Sequence, residues 1–180
     1  MERKIYENPI YGDKAVFLKT AEETNGLCTI IEFELVAGGG NEPHLHDNYA
    51  EKFTVLQGTL TLLAGKKYKI LREGASFTVP PKMIHCFKNR SKSTVKFRIE
   101  FTPGQPGFEK VLKIGYGLAK DGLTSKKGIP KKFSHFALLL VMSSVRVPGI
   151  FTLLMPAFKW SANRAMKNGE ADRLIQKYCS

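Results

Sequence analysis

Apolar and polar positions change rhythm partway along the chain. From Ala15 to Thr102 apolar residues recur at alternate positions in short runs cut by turn residues: AVFLK, LCTIIEFEL, EKFTVLQG, TLTLLAG, KKYKILREG, SFTVP, MIHCFKN and TVKFRIEF. Alternation puts Val95, Phe97, Ile99 and Phe101 on one face and Lys96, Arg98 and Glu100 on the other; Thr29, Ile31, Phe33 and Leu35 oppose Glu32 and Glu34 in the same way. Short strands broken this densely predict a mainly β sandwich or barrel. Gly104, Pro106 and Gly107 mark a junction, after which FEKVLKIGYGLAKDG, KKFSHFALLLVMSSVRV and LMPAFKWSANRAMKNGEADRLIQKY read as helices. The expected organisation is a barrel over residues 1–103 and a helical extension over 104–180, packed on the barrel or on a dimer partner.

Length and composition suit this division. The chain has 180 residues, enough for one domain and an appendage but short for two full domains. Cys28, Cys86 and Cys179 are an odd, widely spaced set that reads as reduced thiols, and the first thirty residues lack the apolar core of a signal peptide, so a cytoplasmic protein is expected. The net charge of +12 is uneven: residues 1–103 hold 15 Lys or Arg against 12 Asp or Glu, and residues 104–180 hold 13 against 4. Charge alone does not make a nucleic-acid binder, and zinc-finger, RNP-like and helix-turn-helix signatures are missing, so no nucleic-acid partner is expected. The apolar run FALLLVMSSV, residues 136–145, ends at Arg146, and Pro148, Gly149 and Pro156 interrupt the segment beyond it. It is too short to span a bilayer. Cover by protein is the expectation, with contact at a membrane surface the less favoured reading.

The candidate chemistry lies in GGNEPHLHDNYAEKFTVLQG. Residues two apart on a strand share a face, so His44 and His46 point to one side; Glu51 joins them only if Asp47 to Ala50 form a turn or bulge. His85, between Met83 and Phe87 in GASFTVPPKMIHCFKN, is a fourth candidate. A buried carboxylate needs partners, and three imidazoles with a cation would supply them. Cys86 alternates out of phase with His85 and should face away, and His135 reads as a helix-surface residue.

These spacings resemble those of the cupins. Gly38, His44, His46, Glu51 and Gly58 fit the first cupin motif at every fixed position; Gly74, Pro80, His85 and Asn89 fit the second, except that Lys82 stands where the family usually has glycine. The resemblance covers about residues 5–130 and is closest to small single-domain cupins with a C-terminal helical extension. It implies a double-stranded β-helix, the jelly-roll barrel, in which His44, His46, Glu51 and His85 ligate one divalent metal, with Asn89 a structural turn residue. Three nitrogens and a carboxylate suit iron, manganese, nickel, cobalt, copper or zinc.

By the same analogy the chain is expected to be a metal-dependent enzyme acting on a small organic molecule by dioxygenase, isomerase or decarboxylase chemistry, and to form a homodimer. The alternative is a non-catalytic metal or small-ligand module, a sensor or scaffold. Phe53, Phe77, Met83, Phe87, Phe97 and Phe101 are candidate pocket walls. Tyr49, between the ligands, either reaches a metal-bound group or faces solvent.

Overall fold

The computed structural model describes residues 3–180, with 150 and 151 described by backbone alone. The chain divides into two compact units: residues up to Glu7 with 11–106, and residues 8–10 with 107–180.

The first unit is the expected jelly roll. Its larger sheet contains β1 (Ile5–Asn8), β2 (Asp13–Lys19), β3 (Thr29–Leu35), β5 (Ala50–Gln57), β8 (Ser76–Val79) and β10 (Val95–Thr102), in the spatial order β1-β2-β3-β10-β5-β8. A three-stranded sheet places β6 (Thr59–Ala64) between β7 (Lys67–Arg72) and β9 (His85–Lys88). The short β4 (Leu45–His46) carries the histidine pair. The pattern of the sequence does not predict β1, because IYEN is too short to show a period.

Alternation is obeyed where the core is built. Val95, Phe97, Ile99 and Phe101 are buried, as are Thr29, Ile31, Phe33 and Leu35. β10 lies between β3 and β5, and its antiparallel register puts Phe97 opposite Phe33 and Val55, and Ile99 opposite Ile31 and Phe53. At these two positions apolar faces apolar across both ladders, and each such phenylalanine is worth about 1.5–3 kcal/mol on burial; the end of the row is polar, where Phe101 lies opposite Thr29 and Glu51. On the outward face Lys96 Nζ lies 2.8 Å from Glu32 and Arg98 lies 3.5 Å from it. Pairs this exposed add a few tenths of a kcal/mol each, so the inward rows decide the register.

The second unit contains α1 (Pro106–Lys120), α2 (Phe133–Met142), the two-residue β11 (Val145–Arg146), α3 (Ile150–Lys167) and α4 (Glu170–Tyr178). It has its own core, in which Ile114, Leu118, Ala137, Leu138, Phe158 and Leu174 are all buried. The Phe158 ring stacks on Phe133 at 5.2 Å and meets Phe136 edge-on at 5.5 Å. The apolar α2 is thus taken up by neighbouring helices. Among the described residues no helix is long and apolar enough to cross a membrane.

Three helix expectations need correction. The run expected over 131–147 is helical only to Met142, because Ser144 turns left-handed at φ 55°. Pro156 lies inside α3 and does not interrupt it, although a proline there has no amide proton to donate. The last expected helix is two helices, broken where Gly169 adopts φ 74° and Asn168 Oδ1 accepts from the Glu170 amide at 3.1 Å. His135 is likewise no mere surface residue: its Nε2 lies 3.0 Å from the Glu170 carboxylate, which also accepts from Ser134 Oγ at 3.0 Å.

Lys82 keeps the turn that glycine usually makes. Its φ is 67°, and its amide donates to the His46 carbonyl at 2.6 Å, tying the loop before His85 to the histidine pair. A side chain in this region costs about 1 kcal/mol. Lys82→Gly should therefore raise stability by about 1 kcal/mol and Lys82→Val should lower it, as read by denaturant unfolding; the reverse order would show that the backbone there is unstrained.

Candidate metal centre

Strand pairing and a bend place the four candidate residues. His44 and His85 face each other in an antiparallel bridge, the His44 amide donating to the His85 carbonyl at 3.0 Å and the His85 amide to the His44 carbonyl at 2.8 Å. On its other side His85 lies opposite Ala64, whose small side chain leaves the imidazole room. Glu51 reaches the inward face because it lies opposite Phe101 on one side and Val79 on the other. The bend at Asp47 and Asn48 corrects the odd spacing from His46, as the sequence required.

The result is a compact group of side chains. One ligand atom from each of His44, His46, Glu51 and His85 can be chosen such that all lie within 4.8 Å of one another. His46, Glu51 and His85 are buried and His44 is half-buried. Backbone carbonyls orient two of the rings: His44 Nδ1 lies 2.7 Å from the Glu42 carbonyl and His85 Nδ1 lies 3.0 Å from that of Met83. A carbonyl can only accept, so each Nδ1 carries a proton and each Nε2 is turned toward the group. Sequence reading could not find these anchors, since any residue offers a carbonyl.

His46 is the informative member. Its Nε2 lies 2.7 Å from Glu51 Oε1, yet both its ring nitrogens are buried without a hydrogen bond. Nitrogen and oxygen are close but misaligned for N–H donation, which is how donors converging on a common cation are arranged. His85 Nε2, by contrast, hydrogen-bonds Glu51 Oε2 at 3.3 Å.

Electrostatics follow the packing. Burial pushes the Glu51 carboxyl up, but the imidazoles of His46 and His85 outweigh it and bring its pKa down to about 2. Burial, reinforced by His85, lowers His44 to about 4. His85 is pushed down by burial, but its contacts with Glu51 and the Met83 carbonyl raise it on balance above the ordinary 6.5. At neutral pH the group thus holds a carboxylate, a neutral His44, and in His85 a nitrogen for which proton and metal compete.

The pocket candidates separate by exposure. Tyr49, Phe53, Phe97 and Phe101 are buried to 1% or less. Tyr49 therefore does not face solvent; its ring stacks on His46 at 4.1 Å with a 26° interplanar angle. Phe77, Met83 and Phe87 are partly exposed. Phe77 lies under Lys69 Nζ at 4.5 Å, while Met83, Lys66, Lys82 and Ile84 help line an open cavity of about 450 Å³. Asn89 is buried and structural, its Nδ2 donating to the carbonyls of Leu35 and Ser93 at 2.8 Å each. Cys86 is buried and is not among the grouped ligands.

Residues 31–101 match the cupin domain family. The first unit has the cupin fold. A germin-like protein 3-5 from Oryza sativa subsp. japonica is 32% identical over 82 residues, 41% of this chain and 36% of that one. A germin-like protein of subfamily 2 from Arabidopsis thaliana is 30% identical over 114 residues, 58% of this chain and 54% of that one. The chain thus spans between about a third and a half of the length of these curated relatives. Among solved structures, an RmlC-like cupin from Shewanella frigidimarina superposes with TM-score 0.51 at 21% identity, over 59% of this chain and 89% of that one. A sugar phosphate isomerase of the cupin superfamily from Silicibacter pomeroyi gives 0.50 at 17%, over 58% and 73%. At these identities the structures share the fold.

In metal-free protein the imidazoles should titrate apart, His85 above 6.5 and His44 near 4. A folded pKa depressed below the unfolded value makes His44 a source of stability above about 6.5 that is lost as pH falls toward 4, while His85 acts in the opposite sense. NMR titration of the ring protons measures both; coincident midpoints near 6.5 would contradict the burial and pairing described.

Proposed function

We propose that this cupin holds one divalent metal through His44, His46, Glu51 and His85 and that it is a metal-dependent enzyme acting on a small organic molecule. The observation that carries the metal reading is the 2.7 Å approach of His46 Nε2 to Glu51 Oε1 without hydrogen-bond alignment. A cation satisfies both atoms at once. Bound there, a divalent ion would supply Lewis acidity or, if redox-active, electron transfer, to a small ligand taking its remaining coordination positions.

The chain's own residues serve such a site in distinct ways. Glu51 stays ionised and offsets part of the cation's charge. The Glu42 and Met83 carbonyls keep Nε2 of His44 and His85 as the coordinating atoms. Tyr49 stacks on His46 and fixes its ring plane while keeping water from that side. The partly exposed Met83 and Phe87 are the pocket candidates left to meet a substrate, since Phe53, Phe97 and Phe101 are packed within the barrel.

Protein purified without an affinity tag should contain about one divalent ion per chain by elemental analysis, and the double variant His44→Ala, His46→Ala should contain none. Glu51→Gln should weaken binding at least about tenfold. Occupancy at limiting metal should fall on acidification, starting above pH 6.5 because His85 takes its proton first. Full metal content in the double variant would refute the ligand set. Metal-dependent turnover, measured as oxygen uptake or product formation with chelating substrates, supports the enzyme, whereas tight ligand binding without product would identify a sensor or scaffold instead. A homodimer is part of the same proposal, and a monomer by light scattering at micromolar concentration would remove it.

A further inference from the structure

The helical unit satisfies α2 but leaves one face of α3 uncovered. At 100° per residue, Leu153, Ala157, Trp160, Arg164 and Lys167 fall within about 40° on either side of one line along the helix, and all five are exposed. Phe158, Ala162 and Ala165 on the opposite side are buried in the helical core. The outward face is graded along its length. Its N-terminal part is apolar, with Leu153 76% and Trp160 66% exposed, and its C-terminal part is basic. Arg164 sits over the Trp160 ring at 5.7 Å, and a shallow depression is lined by Trp160, Asn163, Arg164, Lys167 and Asn168.

We propose that this face docks the chain on an anionic lipid surface, with Leu153 and Trp160 entering the headgroup boundary and Arg164 and Lys167 lying at the phosphates. Charge decides the occupant. The face carries Arg164 and Lys167 and no carboxylate, within a segment of 13 Lys or Arg against 4 Asp or Glu, so its charge complements an anionic partner and disfavours a second copy of this basic unit. Apolar side chains then favour lipid over nucleic acid, because an exposed leucine and a tryptophan gain from the acyl boundary and gain little from a duplex backbone. The helix lies along such a surface rather than through it, since no described helix is apolar enough to span. Attraction of the basic residues falls off within about 10 Å at 0.1 M salt, which keeps the contact reversible.

Trp160 is the chain's only tryptophan, so its emission reports on the face directly. The full-length protein is mixed with vesicles of phosphatidylcholine alone or of phosphatidylcholine with phosphatidylserine. Co-sedimentation and a blue-shifted emission with the mixed vesicles, both weakened by added salt, are expected. Removing two surface charges in Arg164→Gln, Lys167→Gln should lower partitioning roughly 25-fold, about fivefold per charge. Leu153→Gln should lower it as well, with the melting temperature unchanged because these side chains are outside the core. An unshifted emission with no co-sedimentation, or equal binding to neutral vesicles, would overturn the proposal. So would self-association abolished by Leu153→Gln in the absence of lipid, or binding to duplex DNA without vesicle binding.

Discussion

A buried carboxylate dictates the arrangement of the barrel interior. Glu51 is 4% exposed, on the inward face between Phe101 and Val79 in register. Burying an ionised carboxylate costs several kcal/mol unless charge or hydrogen bonds meet it. His46 and His85 supply that compensation, and their effect exceeds that of burial, since the carboxyl ends well below its ordinary value. The compensation comes from residues far apart in sequence, so the fold must deliver them to one point. Removing either imidazole would leave the carboxylate under-compensated among phenylalanines.

Main-chain bonds provide most of the delivery. The reciprocal His44 and His85 amide bonds hold two of the four grouped residues at a fixed separation, and the Lys82 amide ties the loop before His85 to the His46 carbonyl. Asn89 closes the end of the same strand by bonding Leu35 and Ser93 through its side chain and Gly39 through its amide. The rings are then turned by Glu42 and Met83 carbonyls. Side-chain identity is needed at the four grouped residues; the orientation of the His44 and His85 rings is set by the backbone. This separation explains why a lysine can replace a glycine at position 82: the amide it contributes is the same, and the cost is confined to one strained φ.

The same division between side chain and backbone decides how much is legible in the sequence. The barrel strands are legible because a half-buried strand must alternate, and Val95 to Phe101 and Thr29 to Leu35 do so without a lapse. The grouping of His44 with His46 is legible from strand periodicity, and that of Glu51 from the need for a bend. The stacking of Tyr49 on His46 is not, because a bend has no period to fix where its side chains point. The Asn168 and Gly169 break is hidden for a different reason: apolar residues on both sides continue a helical rhythm, and that rhythm masks the Asn-Gly signal. At Pro156 the error runs the other way, since a lost hydrogen bond is a smaller penalty than the packing gained by Phe158, Ala162 and Ala165 in the next two turns.

The helical unit shows where folding stops determining sequence. A ten-residue helix reading FSHFALLLVM needs apolar cover, and α3 presents Phe158, Ala162 and Ala165 as the stripe that joins its core. Those positions are set by packing, because a larger or polar residue would open or overfill the contact. The opposite stripe of α3 is under no such constraint, and any polar residue of good helix propensity would serve the fold there equally well. Leu153 and Trp160 lose hydrophobic free energy by standing in water, and Arg164 and Lys167 beside them add charge to a region already rich in it. Exposed apolar side chains that contribute nothing to the core, next to two basic ones, are what the proposed docking on an anionic surface would account for.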